Sequence, residues 1–578
     1  MTETPLQISE QRLKQLVENG LLMSMERDRT RLLRHVLMSG RTLSRCEAAT
    51  LYLVTEQRTL RFALRSRDDE LPSFEIPLYD PQDGSPNEKH VSTWVALHNA
   101  PVNIPDVYAE TRFDLSGTRR FDVESGFRTV SMLTLPMAPR DKEVLGVMQF
   151  INATDAETGA VIPFADDVVE LMGALASQAA VALDNHQLVE TQQQLLYGMI
   201  RAISGAIDAK SPYTGGHCER VPELAIMLAE AACAEQRGPL ADFNFSSDEQ
   251  WQEFRIGIWL HDCGKVVTPV HVVDKATKLE TIHNRIHEIR TRFEILLRDA
   301  EIEKLQTLLA GGERAAAEQR FSARQAQLQA DFAFIAECNI GSEFMAEEHL
   351  ARIRSIGSQT WLRHFDDRLG LAHEELARCE QTTPMPLPVT ELLLDDKPQH
   401  IHPRRTDRPL DPRHGFKVNV PTHLQNNGEL YNLAIRRGTL NEEERFTINE
   451  HIIQTIEMLA SLPLPKNLRR VPEYAGTHHE TLTGSGYPRG LSENDLSIPA
   501  RIVAIADVFE ALTASDRPYK RAKKLSESIR ILHSMKKSRH IDGDLFDLFL
   551  TSGVYLRYAE RFLAPEQIDA VDVSEFLG

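Results

Sequence analysis

The residues best suited to chemistry stand side by side as His261-Asp262, inside WLHDCGK at 259–265. A carboxylate has two oxygens and can bridge two cations, while a neutral imidazole binds one of them, so such a pair can anchor a dinuclear centre. The apolar lead-in FRIGIWL predicts delivery on a buried helix. Lys265 then lies four residues beyond His261 on the same helix face, where its ammonium can meet a phosphate oxygen. An HD dipeptide alone means little; its weight comes from the company it keeps. His217 lies in YTGGHCERV at the start of an amphipathic helix, His478 and His479 open HHETLTGSGYPRG, and Asp507 interrupts the apolar helix RIVAIADVFEALT. A buried carboxylate of that kind is costly unless a cation neutralises it. Ligands of these types, each set in apolar helix, are jointly hard to explain by packing.

The elements that must position them belong to a chain of 578 residues, several times the size of one hydrophobic core, so more than one domain is expected. From about 27 to 186 an amphipathic helix at Arg29 to Leu43 is followed by the β-type runs AATLYLVT, TLRFALR, SMLTLPMAP and VLGVMQFIN. The last two flank the polar turn Arg140-Asp141-Lys142-Glu143 in the manner of a hairpin, and the order suggests an α+β sensor-like domain. Between Phe164 and Asp208 the apolar residues Leu171, Leu175, Ala182, Val189, Leu196, Met199 and Ile203 fall at helical spacing. Such a helix leaves one domain and enters the next, and either pairs with its copy in a dimer or packs on its own domain. The remainder, from about 195, is helical in periodicity. Within it, 285–378 reads as charged helix throughout and 382–415 as Pro-rich irregular chain, together an insertion into a helical domain.

Composition narrows the partners. With 42% hydrophobic and 26% charged residues and a formal charge of −19, the chain reads as a soluble protein with no broad attraction to nucleic acid polymers or anionic membrane. Any polyanionic substrate must be drawn in by a local positive site. The N-terminus lacks a basic segment followed by an apolar core, and no run of 18 apolar residues occurs, so a cytoplasmic location is expected. The six cysteines form no C-x-x-C pair and suggest neither a disulfide framework nor a thiolate zinc site.

Taken in order, His217, the HD pair, HHE followed by Gly486-Tyr487-Pro488, Asp507 and DRPYK at 516–520 resemble the HD-GYP branch of the HD-domain phosphohydrolases. The resemblance covers roughly 200–280 and 430–550. It implies a helical domain that binds iron or manganese ions and hydrolyses cyclic di-GMP to linear pGpG, with continuation to GMP left open. By position it implies His217, His261, Asp262, His478, His479 and Asp507 as metal ligands. Lys265, Arg517 and Lys520 then face the substrate phosphates or base, and Gly486, Tyr487 and Pro488 mark a shaped loop. A further family histidine, between HD and HH, has decoys in His283 and His287, but GTLNEEERFTINEHIIQTIEML at 438–459 fits the family pattern better and assigns it to His451. Three-metal members carry a glutamate where this chain has Tyr213, which favours two ions. Glu480 is expected to orient the histidines rather than to act as a general acid. The implied chemistry is attack on phosphorus, opposite the 3′-oxygen, by a water shared between two cations and Asp262, which acts with Lys265 as the catalytic pair. The family also leaves room for a catalytically weak receptor, or for an enzyme acting on another cyclic dinucleotide.

The strand pattern, VLGVMQFINATD, Phe164 and the helix LMGALASQAAVALDN resemble a GAF domain over about 27–186. GAF domains bind cyclic nucleotides, haem, flavins, bilins or nothing; here Asn152 is followed by Ala153 and the acidic pair is Asp166-Asp167, which departs from the cyclic-nucleotide signature, so the GAF ligand is unknown. The expected architecture is α+β multidomain. It comprises a GAF-like sensor (27–186), a connecting helix (165–208) and an all-α phosphohydrolase domain (200–578) with a mainly helical insertion at about 283–436. Expected partners are cyclic di-GMP, a second copy of the chain through the GAF domain and connecting helix, and diguanylate cyclase-type proteins. Cys46 is expected to be a packed thiol, and His400, His402 and His414 to lie in loop.

Overall fold

The structure, a computed structural model, describes residues 5–26, 28–66, 73–139, 143–210, 216–341, 344–404, 409–514 and 522–577. The chain divides into two compact units, Met1–Leu196 and Tyr197–Gly578.

The first unit is built on one antiparallel sheet of strands β1 (Cys46–Val54), β2 (Thr59–Arg65), β3 (Glu75–Pro77), β4 (Val102–Ile104), β5 (Met132–Met137), β6 (Gly146–Thr154) and β7 (Val161–Ile162), in the order β3-β2-β1-β6-β5-β4 with β7 beside β6. The four runs expected from alternation are the central strands β1, β2, β5 and β6. Side chains of a strand point alternately to opposite faces, and here both faces are buried. Leu51, Leu133, Leu135, Met148 and Phe150 pack on one face with the helix Arg29–Ser44 and with Met172, Leu175 and Ala179 of the helix Asp166–Asp208. Tyr52, Met132 and Val147 pack on the other face with Val91 and Val95 of the helix Val91–His98. On that second face lies a cavity of about 760 Å³ whose lining includes Tyr52, Phe62, Arg65, Phe121 and Gln149. Arg65 lies 5.3 Å from the ring centroids of both Phe62 and Phe121. β5 pairs with β6 from Met132↔Ile151 to Met137↔Gly146, as a hairpin requires, while Arg140-Asp141-Lys142 of its expected turn lie outside the described residues. Asn152 has a left-handed φ of 62° and is consumed by structure: its Oδ1 accepts from Val130 N at 2.7 Å, and its Nδ2 donates to Glu47 and to Arg128 O. Cys46 is buried, and burial raises its thiol pKa.

The second unit is largely helical. Val221, Leu224 and Leu228 of the helix His217–Ala234 meet Ile502, Ile505 and Phe509 of the helix Ile498–Thr513 in one core. A separate core forms between residues 279 and 433, where Ile289 and Phe293 of the helix Ile286–Leu309 meet Leu328 and Ile335 of the helix Arg314–Ile340 and Ile353 of the helix Glu347–Gly357. Two expectations need correction in this region. Residues 285–378 are not helical throughout, because Thr360–Arg363 forms a strand paired with Val389–Leu392. The Pro-rich stretch also contributes the strand Ile401–Pro403, paired with His423–Asn426. These strands are only three or four residues long, too short for alternation to register.

Candidate metal centre

His261 and Asp262 do not sit on a helix as expected. The helix Asp248–Trp259 ends just before them, and the chain tightens through His261 N→Ile258 O and Cys263 N→Leu260 O into the 3-10 turn Cys263–Val267. The cause is close approach to the helix Glu442–Ala460: a Cβ on Gly264 would stand 1.9 Å from the His451 carbonyl oxygen. Gly264 N–H donates to Thr455 Oγ1 at 2.9 Å, and that hydroxyl lies 3.3 Å from the His261 carbonyl. Thr455 stands one helical turn beyond His451, so it buttons the His-Asp turn to the helix that carries His451. On the other side Ser204 Oγ donates to Trp259 O, and Lys210 Nζ donates to Lys265 O and Val266 O.

His217 opens its helix as expected and Asp507 lies in its apolar helix, but His478 and His479 fall in the turn after the short helix Val471–Gly476. These elements converge. His217 Nε2 is 3.1 Å from Asp262 Oδ2 and 3.3 Å from Asp507 Oδ1, and His261 Nε2 is 3.4 Å from both His217 Nε2 and Asp262 Oδ2. The other carboxylate oxygen, Asp262 Oδ1, faces His451 Nε2 at 3.4 Å. His451, His478 and His479 offer ring nitrogens within 4.8 Å of one another, and so do donor atoms of His217, His261 and Asp262. His283 and His287 are exposed, their rings tilted at 37° with centroids 5.5 Å apart. Arg517, Lys520 and Tyr213 lie outside the described residues.

The donor set suits divalent cations. His261, His451 and His478 each donate Nδ1–H to the carbonyl three residues earlier, Ile258, Ile448 and Ala475, which turns every Nε2 toward the centre. His451 Nε2 and His478 Nε2 are buried without a hydrogen-bond partner among the described residues, a cost that a metal would remove. Burial pulls the pKa of His261 and of His451 down to about 4 and that of His479 well below the usual value, so these rings are neutral, as a metal ligand must be. Burial opposes ionisation of Asp262, but Lys265, His261 and His217 outweigh it and hold its pKa well below the usual range; His217 and His478 do the same for Asp507. Lys265, expected to face a substrate phosphate, here gives its ammonium to Asp262 Oδ2.

Glu510, Arg220 and Thr455 escaped the sequence reading. Glu510 pairs with His217 Nδ1 and accepts from Arg220 Nε at 2.7 Å; burial disfavours the His217 imidazolium, yet Glu510, Asp262 and Asp507 together keep its pKa well above the usual value. The spacing of three between Asp507 and Glu510 was the available signal, since it places both on one helix face. Tyr487 stacks on His479 with centroids 4.9 Å apart and planes at 22°. Gly486 is hemmed in: a Cβ there would lie 2.5 Å from Glu480 Cα and 2.6 Å from His479 O. Glu480 accepts the N–H groups of Arg489 at 2.7 Å and Leu491 at 2.8 Å, so its carboxylate braces the Gly486-Tyr487-Pro488 loop and, among the described residues, is hydrogen-bonded to no histidine ring.

Residues 28–183 match the GAF domain family and residues 388–545 the HD domain family. A 3′3′-cGAMP-specific phosphodiesterase of Vibrio cholerae is 40% identical over 113 residues, covering 20% of this chain and 25% of that one. A cyclic di-GMP phosphodiesterase of Thermotoga maritima is 40% identical over 103 residues, covering 18% and 27%. The chain thus spans about a quarter of the length of the curated relatives it matches. His451, His478, His479 and Asp507 lie inside the HD match, whereas His217, His261 and Asp262 precede it. The chain therefore carries a GAF domain (28–183) followed by an HD domain (388–545), with relatives named as cyclic-dinucleotide phosphodiesterases.

Proposed function

We propose that this chain is a metal-dependent phosphodiesterase that opens cyclic di-GMP to linear pGpG, under the influence of its GAF domain. The observation that carries the reading is the use of Asp262: one carboxylate oxygen faces the His217/His261 group and the other faces His451 of the second group. A carboxylate so placed suits a bridging ligand between two cations, iron or manganese by the family resemblance, with His217, His261 and Asp507 on one side and His451, His478 and His479 on the other. When bound, such ions supply Lewis acidity and a nucleophilic water at neutral pH. The protein's own contribution is orientation. Backbone carbonyls and Glu510 fix the histidine rings, and Asp262 is held ionised by Lys265. Lys265 is the described cation nearest the bridging carboxylate, and we assign it, with Arg517 and Lys520, to charge on the substrate phosphates.

In this reading the phosphohydrolase domain spans 200–578 and is interrupted at about 283–436, which accounts for ligands both before and inside the HD match. The GAF domain and connecting helix form the dimer contact.

A second reading, hydrolysis of 3′3′-cGAMP, draws on the Vibrio relative's name. Incubating Mn²⁺-loaded or Fe²⁺-loaded protein with cyclic di-GMP, 3′3′-cGAMP and cyclic di-AMP, and resolving products by chromatography, separates the two. The account predicts pGpG from cyclic di-GMP. Turnover of 3′3′-cGAMP alone would overturn the substrate, and binding without product would make the chain a receptor.

A further inference from the structure

The paired strands Ile401–Pro403 and His423–Asn426 are joined by a connection from Arg404 to Thr422 that, among its described residues, holds only the 3-10 turn Pro412–His414. Connections of this length in compact domains are uncommon and tend to be functional. This one touches both elements that carry the second ligand group. At its foot, Arg404 Nε donates to Pro421 O at 3.2 Å, and its guanidinium lies 4.7 Å from the ring centroid of Phe446, on the helix that carries His451. Further along, Lys417 N–H donates to Pro488 O at 2.8 Å. The Lys417 side chain runs beside the same loop, with Cδ 3.8 Å from where a Cβ on Gly490 would stand.

Pro488 directly follows Tyr487. The Tyr487 ring lies on the His479 imidazole, and Tyr487 N–H donates to His479 O at 3.2 Å. The loop is therefore gripped from within by Glu480, through Arg489 N and Leu491 N, and from the connection by Lys417. A stacked ring restricts the rotation of the imidazole beneath it, and outer partners that orient a ligand ring matter nearly as much as the ligand itself.

We propose that Lys417 is a positioning residue: its backbone N–H fixes the Pro488 carbonyl, and through it the Tyr487 ring on His479, so that the chain between the two halves of the ligand set tunes the second metal-ligand group. The proposal rests on the reading of His451, His478 and His479 as ligands. It makes the described residues of the connection, Arg404 and 409–422, part of the working site and not a passive excursion.

The test uses the full chain loaded with Mn²⁺ and follows release of the metal to excess chelator, so no nucleotide is involved. Lys417→Pro removes the N–H donor; Lys417→Ala keeps it. Lys417→Pro is expected to release Mn²⁺ at least about tenfold faster than wild type, with Lys417→Ala within about twofold. Tyr487→Leu, which removes the stacked ring and leaves the connection untouched, is expected to reproduce the faster release. Equal release from wild type and Lys417→Pro, or equal impairment of Lys417→Ala and Lys417→Pro, would overturn the assignment. Should Lys417→Pro fail to fold, wild-type release from Tyr487→Leu would overturn it equally. A wild type that holds Mn²⁺ but turns over no cyclic dinucleotide would sink the substrate reading alone and leave this one standing.

Discussion

Glu510 shows how much of the proposed centre depends on residues one step behind the candidate ligands. It is 1% exposed, carries its charge against His217 Nδ1 and Arg220, and so directs His217 Nε2 at Asp262 and Asp507. Glu510→Gln preserves shape but removes the charge that holds the ring. Metal affinity is expected to fall by about 10–100-fold, with the fold intact, as read by Mn²⁺ titration. Lys278 offers a test away from the ligands. Its side chain is 0% exposed, its ammonium donates to Leu433 O at 3.1 Å and to Ile435 O at 2.7 Å, and burial pulls its pKa down to about 8. The unfolded chain thus binds more protons than the folded one between pH 8 and the ordinary lysine range, so stability rises with pH across that window. Below it both states are protonated and the full cost of the buried ammonium is felt. The wild-type melting temperature, measured relative to that of Lys278→Met, should therefore rise from pH 8 toward pH 10, by the equivalent of at most about 3 kcal/mol. A difference flat in pH would show that Lys278 is not desolvated.

At the scale of elements, the site depends on the His-Asp turn lying flat against the helix Glu442–Ala460. Gly264→Ala would put a methyl group against the His451 carbonyl and Thr455 N, 1.9 Å and 2.6 Å away. We expect a loss of about 1–3 kcal/mol or more in stability, together with loss of bound metal, measured by thermal unfolding and metal analysis. That turn also marks the limit of reading from sequence. FRIGIWL announced an apolar helix correctly, but where it would stop depended on a partner helix nearly two hundred residues away, which no local pattern encodes. The residues of the centre were legible as types at spacings, because His217, His451 and Asp507 each stand on a long helix with clear periodicity. Strands β1, β2, β5 and β6 were legible from their length, whereas β3, β4 and β7, of two or three residues, are fixed by their neighbours in the sheet. Thr360–Arg363 was hidden for the same reason within chain that composition marked as helical, and its partner Val389–Leu392 within chain marked as Pro-rich and irregular.

At the scale of the whole molecule, a chain of net charge −19 that acts on a phosphodiester, as proposed, must concentrate attraction for it at one place. The described residues supply Lys265 and Arg220 near the ligands, paired with Asp262 and Glu510, so the centre without cations is already charge-balanced inward. Its candidate ligands come from both sides of the region 279–433, which has a core of its own. A protein assembled this way should lose the whole centre, and not half of it, when Asp262 is removed. The most direct measurement is metal content per chain, by elemental analysis of Mn²⁺-loaded protein, for wild type, Asp262→Ala and His451→Ala. The account predicts about two ions in wild type, close to none in Asp262→Ala and about one in His451→Ala. Wild type without bound metal, or Asp262→Ala with undiminished metal, would contradict it.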